Sequence, residues 1–320
     1  MSMSFGKITA TARYLPEKVV TNEELAEWLD TSDEWIQSRT GIKQRHIAEE
    51  ENTSDMCIQV AKKLVDKAAI DPMSLDFVIV ATMSPDYTSP SVACQVQGQL
   101  GAKQAMAFDV TAACAGFVYA LATAENFVRS GMKRGIVIGG EKTSKLLDWR
   151  DRSSAVLFGD GAAGVLLESN EEASIIKQML RADGERASAL TSGFRKNSNI
   201  FHEGTETSTT LSMDGRGIWN FALNDVTKSL KEFIGEEPVD YYLLHQANKR
   251  IIEKIARKMN EPIEKFPMNL MDYGNTSAAS IPILLDELVE SNILSFNSKQ
   301  KVVLTGYGGG LTWGNLLIQL

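Results

Sequence analysis

The same order of elements occurs twice in this chain, and that repeat limits the available folds more than any other feature. Leu75-Asp76-Phe77-Val78-Ile79-Val80-Ala81-Thr82 reads as a buried strand, and Val239-Asp240-Tyr241-Tyr242-Leu243-Leu244-His245-Gln246 resembles it at an offset of 164 residues (75 to 239). A turn of small residues follows each strand: Ala112-Ala113-Cys114-Ala115-Gly116 in the first copy and Gly274-Asn275-Thr276-Ser277-Ala278-Ala279-Ser280 in the second. Moved by 164, Cys114 falls on Ala278. Closing strands come next, Ile136-Val137-Ile138-Gly139-Gly140 and Val302-Val303-Leu304-Thr305-Gly306. Three matched elements in order predict two related α/β halves, packed as layers of helices around sheets. The predicted organisation is 1–175 for the first half, 176–216 for a connecting region and 217–320 for the second half. Within the connection, 182–216 is polar and Ser/Thr-rich (Thr205-Glu206-Thr207-Ser208-Thr209-Thr210) and lacks sustained periodicity. It reads as a mobile flap or, equally, as a solvated connector.

Cys114 is the most informative single residue. Phe117, Leu121, Ala124 and Val128 recur at three- and four-residue steps after it and Gly131 supplies a stop, which predicts a buried helix with the cysteine in its first turn. A thiol at a helix N-terminus meets unpaired N–H groups and the positive end of the dipole, so a lowered pKa and a reactive thiolate are expected. The plain alternative is a small hydrophobe packed in a core. Cys57 and Cys94 fall on predicted helices (one that follows Thr53-Ser54-Asp55 and runs through Val60, Leu64 and Ala68, the other from Val92 to Leu100), where core packing is expected. Three cysteines without a Cys-x-x-Cys pair argue against a disulfide framework or a zinc site and for a reducing, cytoplasmic setting. Met1–Ala10 lacks the apolar core of a signal peptide, and no apolar run approaches membrane-spanning length. A net charge of −8 argues against general nucleic-acid affinity, so any acidic partner must meet a local basic patch.

A literal G-x-G-x-x-G runs from Gly159 to Gly164, with Asp183 nineteen residues beyond it. Ala155-Val156-Leu157-Phe158 before it reads as a strand, but Gly164–Glu168 reads as another strand and no helix follows, so a nicotinamide site is rejected. The glycines Gly308-Gly309-Gly310 also follow a strand and can bring backbone N–H groups to a reacting carbonyl oxygen. His245 ends a strand, where it either caps the next helix or serves a site. Asn275 sits in a turn, where a capping role is the default. The repeat relates the Asn275 turn to the Cys114 turn and puts His245 at a strand end on the same crevice, so the three can converge.

On these motifs the chain resembles the β-ketoacyl-[acyl-carrier-protein] synthase III family, condensing enzymes of the thiolase-like fold. The resemblance runs nearly end to end. It includes Thr31-Ser32-Asp33-Glu34-Trp35-Ile36, Arg39-Thr40-Gly41-Ile42, the Cys114 turn, Phe158-Gly159-Asp160-Gly161-Ala162 and His245-Gln246-Ala247-Asn248. It continues through Tyr273–Ser280 and Gly308-Gly309-Gly310-Leu311-Thr312-Trp313-Gly314. The resemblance implies an α-β-α-β-α sandwich and a decarboxylative condensation that initiates fatty-acid synthesis. Cys114 would take the acyl group of an acyl-CoA primer, with its oxyanion held by the N–H groups of Cys114 and Gly309. His245 and Asn275 would hydrogen-bond the thioester oxygen of malonyl-carrier protein as carbon dioxide leaves. Trp35 and Arg152 would sandwich the CoA adenine, with Arg39 and Asn248 as further CoA contacts. No metal or redox cofactor is implied, CoA being a product, and the family forms homodimers.

The acidic carrier protein needs a basic surface, and Lys249–Lys258 offers one. Arg250, Lys254, Arg257 and Lys258 share a helical face while Ile251, Ile252 and Ile255 turn inward. Such a face is by default only solvated. Its place after His245, and the family's use of this segment, make Gln246, Ala247, Asn248, Lys249, Arg250, Lys254, Arg257 and Lys258 the expected docking residues. The primer pocket is expected at Ser89, Phe158 and Tyr307. Tyr307 stands where the family usually has phenylalanine. Ser89 stands where a bulky aromatic residue often reaches into the partner subunit's pocket. Asn220 matches a position where some relatives carry a docking lysine. Primer preference stays open on these departures. The competing readings are a related condensing enzyme of specialised metabolism, a non-condensing cysteine hydrolase or acyltransferase, and a binding-only homologue, against which the intact Cys114, His245 and Asn275 argue.

Overall fold

The computed structural model describes residues 4–204 and 208–320. Met1, Ser2 and Met3, and Thr205, Glu206 and Thr207 of the Ser/Thr-rich run, lie outside the described residues.

Two large sheets, accompanied by two two-stranded ones, organise the described residues. The first contains β1 (Phe5–Tyr14), β2 (Phe77–Ala81), β3 (Met106–Val110), β4 (Arg134–Glu141) and β5 (Gly161–Asn170), in the order β1-β5-β4-β2-β3. Here β3, β2 and β4 run parallel, whereas β5 is antiparallel to both β4 and β1. The second contains β6 (Ile175–Ala182), β7 (Tyr241–Leu244), β8 (Lys301–Gly308) and β9 (Thr312–Gln319), in the order β7-β8-β9-β6. Its β7–β8 pair is parallel and the others are antiparallel, so β7, β8, β9 and β6 repeat β2, β4, β5 and β1.

The sheets are covered on both faces, and the alternation of side chains shows it. Phe77, Ile79 and Ala81 of β2 point to the layer between the sheets, while Val78 and Val80 point to the outer layer. The middle layer holds α4 (Gly116–Arg129) and α6 (Ser280–Glu290), preceded in chain order by α1 (Asp33–Thr40), α2 (Thr53–Ala68) and α3 (Val92–Leu100) and separated by α5 (Lys249–Met259). Phe117, Leu121, Ala124 and Val128 of α4 are all fully buried, as their spacing predicts. Burial of a side chain the size of Phe117 or Leu121 is worth about 1.5–3 kcal/mol, so this stripe outweighs the absence of any side-chain cap at the helix start. Helices α2 and α3 cover the outer face of the first sheet, and α5 covers that of the second through Ile251, Ile252 and Ile255.

The two copies match closely at their centres. Short 3-10 turns, Ala113–Ala115 and Ser277–Ala279, lead directly into α4 and α6, and both steps are offset by 164 residues (113 to 277, 116 to 280). Ala113 and Ser277 both hold positive φ, 44° and 50°, a conformation that non-glycine residues adopt only under surrounding constraint. Each half supplies a glycine for the other's turn. A Cβ on Gly139 of β4 would collide with the Ala278 carbonyl, and one on Gly306 of β8 would lie 2.8 Å from Ala115 Cα.

Four sequence expectations change. Ala155–Phe158 is not a strand: Arg152–Ala155 is a single helical turn capped by Asp151, and only Phe158 pairs, through one bridge to Asn275. An apolar run this short carries no periodicity to separate the two states. Cys94 is exposed on α3 rather than packed in the core, whereas Cys57 is fully buried. Cys114 sits in the 3-10 turn just ahead of α4 rather than in the helix's first turn. The region 176–216 is not a bare connector, since β6 is the edge strand of the second sheet. Beyond β6, Gly184–Ala189 forms a 3-10 segment and Leu190–Thr191 pairs with Ser212–Met213. The Gly159–Gly164 motif leads straight into β5, with Asp160 buried and bonded to Ala48 N, Ser144 N and Ser144 Oγ. No helix among the described residues is long and apolar enough to cross a membrane.

Candidate active site

Cys114 is 5% exposed, and its Sγ lies 3.4 Å from Ser277 Oγ, the residue before its repeat counterpart. The end of β8 passes over it: a Cβ on Gly308 would lie 2.9 Å from Cys114 N and 3.2 Å from Sγ. Only glycine lets the strand approach so closely. Burial pushes the Cys114 thiol up to about 12, against a smaller lowering by the Ser277 hydroxyl. The resting group is therefore a neutral thiol. The sequence expectation of a depressed pKa fails because desolvation of a buried thiolate outweighs the helix N-terminus.

His245 follows β7 and is 2% exposed. Its Nδ1 lies 2.7 Å from Ser280 Oγ at the start of α6, which leaves Nε2 for a bound molecule. Burial alone lowers its pKa to about 3, so the ring is a neutral imidazole at any physiological pH. Asn275 is fixed from three sides. Its N–H donates to Leu157 O (2.8 Å), its carbonyl accepts from Gly159 N (3.1 Å), and its Oδ1 accepts from Ser277 N (2.9 Å). With Oδ1 taken, Nδ2 is the side-chain group free to donate.

Cys114, His245 and Asn275 line one cavity of about 390 Å³, together with Gly308, Phe158 and Tyr307. Its walls are mostly apolar, with Met83, Leu157, Leu190 and Met213 among them. Leu190 and Met213 belong to the small hairpin of the 182–216 segment, so that segment closes one side of the site. Tyr307 is buried with its ring edge-on to His245 at 5.3 Å, and its hydroxyl has no hydrogen-bond partner. Gly309 is buried against Leu190 and Ala113, one residue beyond the glycine that touches Cys114. Ser89 is exposed and does not line this cavity.

Trp35, Arg39, Ala247, Asn248 and Arg250 also line it. Two guanidinium groups lie over the Trp35 ring, Arg152 at 5.1 Å and Arg39 at 5.6 Å from its centroid. Arg152 is further held by Asp30 O at 2.6 Å, and Asn248 Nδ2 donates to Arg39 O at 3.0 Å. Asn248 also caps α5, accepting from Arg250 N at 2.9 Å.

The basic face of α5 is present, with Lys254 half-buried. Lys249, Arg250 and Arg257 are exposed, and Lys258 is exposed with Nζ donating to Leu223 O at 2.8 Å. Gln246 is not on the surface: it is 1% exposed, its Nε2 donates to Leu244 O and its Oε1 accepts from Asn269 N. Ala247 is half-buried and lines the cavity. Sequence reasoning missed two groups. Trp219 lines the cavity and carries Arg250 and Lys254 over its ring at 5.3 and 4.9 Å. Glu141, fully buried at the end of β4, bonds Ser277 Oγ at 3.2 Å, and a carboxylate closing an apolar strand after Gly139-Gly140 was the available signal.

Known proteins are similar to this chain along almost its whole length. The family 3-oxoacyl-[acyl-carrier-protein (ACP)] synthase III matches residues 108–184, and its C-terminal part matches 231–320. A β-ketoacyl-[acyl-carrier-protein] synthase III from Enterococcus faecalis is 57% identical over 99% of each chain. The chain belongs to the 3-oxoacyl-[acyl-carrier-protein] synthase III family. A synthase III from Streptococcus pneumoniae is 52% identical over 99% of this chain and 100% of the relative. The crystal structure of synthase III from Aquifex aeolicus superposes with a TM-score of 0.91 at 41% identity, covering 98% of this chain and 100% of that one. The fold is accordingly that of thiolase-like synthases, and the chain is an acyltransferase of the condensing type.

Proposed function

We propose that this synthase III chain condenses an acyl-CoA primer with malonyl-acyl carrier protein, giving 3-ketoacyl-carrier protein, CoA and carbon dioxide. The observation that carries the reading is the convergence of Cys114, His245 and Asn275 on one apolar-walled cavity flanked by the Trp35–Arg152 pair. Cys114 Sγ attacks the thioester carbon, the proton passes to the departing CoA thiolate, and an acyl-Cys114 remains. Backbone N–H groups of Cys114 and Gly309 meet the oxyanion of that step. Malonyl-carrier protein then loses carbon dioxide, and the charge moves onto its thioester oxygen. A neutral His245 and the Asn275 Nδ2 suit that oxygen, because they gain most when it becomes an enolate. Ser280 donating to His245 Nδ1 would fix the Nε2–H tautomer that this role needs. The carbanion attacks the acyl-Cys114 carbonyl and expels the Cys114 thiolate, which takes a proton from water to restore the thiol. No metal or redox cofactor enters this chemistry. The working protein is read as a cytoplasmic homodimer whose α5 face meets the acidic carrier.

The test is turnover of purified protein with malonyl-carrier protein and a panel of acyl-CoA primers. Ketoacyl-carrier protein and carbon dioxide in equal amounts are expected, with Cys114→Ser inactive. Free acid as the dominant product, without carbon dioxide, would establish a hydrolase instead.

A further inference from the structure

Glu141 is a fully buried carboxylate with no assigned part in condensation, and it lies two hydrogen bonds from the nucleophile. Four donors surround it: Thr82 Oγ1 (3.1 Å), Met83 N (3.1 Å), Ser84 Oγ (2.5 Å) and Ser277 Oγ (3.2 Å). Three of the four have fixed roles. Met83 N can only donate. Thr82 Oγ1 already accepts from Ser84 N, and Ser84 Oγ accepts from Lys142 N, so each hydroxyl hydrogen is left for the carboxylate. Ser277 differs, because the group on its other side is the Cys114 thiol at 3.4 Å. Ser277 is also held rigidly, at φ 50° with its N–H on Asn275 Oδ1.

We propose that Glu141, acting through Ser277, sets the direction of the hydrogen bond at Cys114 and so restrains the nucleophile as a neutral thiol. Both residues are positioning residues, and the inference rests on Cys114 being the nucleophile of the reaction proposed above. An ionised Glu141 takes the Ser277 hydrogen, so Ser277 presents lone pairs to Sγ and the thiol must donate. A thiolate there would face those lone pairs. A neutral donor at position 141 reverses the chain: it donates to Ser277 Oγ, and the Ser277 hydrogen turns to Sγ and favours thiolate. Burial raises Glu141 to about 7, against the pull of its donors, and its charge raises Cys114 in turn. The other ionisable groups interacting with the pair are Cys57 and Lys145 near Glu141 and Tyr307 near Cys114.

The test is the rate of Cys114 alkylation by iodoacetamide at fixed pH, followed on the Cys114 peptide by mass spectrometry. In that step Sγ displaces iodide, a C–S bond forms and the thiol proton goes to buffer. Glu141→Gln is expected to react about tenfold faster, the change in thiolate fraction that one pKa unit produces. Ser277→Ala should give only a small rise, and Glu141→Gln/Ser277→Ala should keep only the part of the gain that removal of the carboxylate charge gives through space, well short of tenfold. A Glu141→Gln rate equal to or below wild type overturns the proposal. So does a gain that survives in full without the Ser277 hydroxyl, because loosened packing would act in both backgrounds. A slower Ser277→Ala protein overturns it independently, should Glu141→Gln fail to fold. The probe needs neither CoA nor carrier protein, so a negative result leaves the condensation reading standing, and failed condensation leaves the alkylation pattern interpretable.

Discussion

The Arg152 guanidinium lies over the Trp35 ring, 5.1 Å from its centroid, at the edge of the cavity that holds Cys114. A purine entering this position replaces the guanidinium face with its own and keeps the Arg152 charge above it. Stacking of this kind is worth about 1–3 kcal/mol per base. Trp35→Ala should raise KM for acyl-CoA roughly 5- to 150-fold and leave iodoacetamide alkylation of Cys114 unchanged, since that reagent needs no adenine site. Equal KM values in variant and wild type would remove Trp35 from the CoA site.

Gly308→Ala should damage the site directly. Its Cβ would sit 2.9 Å from both the backbone N and the Cβ of Cys114, neither of which can swing away, and 3.2 Å from Sγ. Overpacking of this type costs about 1–3 kcal/mol. A fall in melting temperature together with loss of Cys114 acylation is expected, whereas an active, fully stable variant would show that β8 can shift.

How far these features could be read from the chain depended on whether they were local. The Cys114 and Asn275 turns were legible because small residues and a shared offset mark them without any knowledge of packing. The α4 stripe was legible because its period is regular. Burial is the property that sequence carries least, and the failures collect there. Gln246 looked like part of an exposed motif but ties Leu244 to Asn269 in the interior. Cys114 looked like a thiolate because the helix start is visible in sequence and the enclosing strand β8 is not. Glu141 directly follows the predicted strand that ends at Gly140, and Trp219 stands beside Asn220, but only the fold brings either of them to the site.

Arg250→Glu should raise KM for malonyl-carrier protein while leaving acyl transfer from CoA to Cys114 within twofold of wild type. Arg250 stacks on Trp219 beside the cavity, so the variant also removes one cation from that ring. Lys254 remains over it at 4.9 Å. Unchanged carrier kinetics would take the α5 face out of the docking surface.

Asn275 allows its donor and acceptor to be tested separately. Asn275→Asp keeps an oxygen for Ser277 N but removes the Nδ2 donor, so decarboxylation should fall at least tenfold while single-turnover acylation of Cys114 persists. Asn275→Ala also leaves Ser277 N unpaired in the interior, an added destabilisation of about 1–3 kcal/mol. If acylation collapsed equally in Asn275→Asp, the proposed division of roles would be wrong.

His245 makes the final prediction, on stability rather than rate. Its pKa is about 3 in the folded protein and about 6.5 when unfolded. Between those values the unfolded state binds a proton that the folded state refuses, so this group's contribution falls as pH drops below 6.5 and is undiminished above it. The slope is about 1.4 kcal/mol per pH unit, or roughly 2 kcal/mol by pH 5. Glu141 acts in the opposite sense over part of the same range. Its folded value of about 7 lies above the unfolded carboxyl's, so its contribution is complete at low pH and is lost as pH rises toward 7. The two slopes oppose each other between about 4.5 and 6.5, and wild-type stability alone would hide both. Chemical denaturation of wild type and His245→Asn at pH 7.5 and pH 5 separates them. The variant should gain roughly 2 kcal/mol relative to wild type at the lower pH. A difference that does not change with pH would mean that His245 takes up its proton in the folded protein as readily as in the unfolded one.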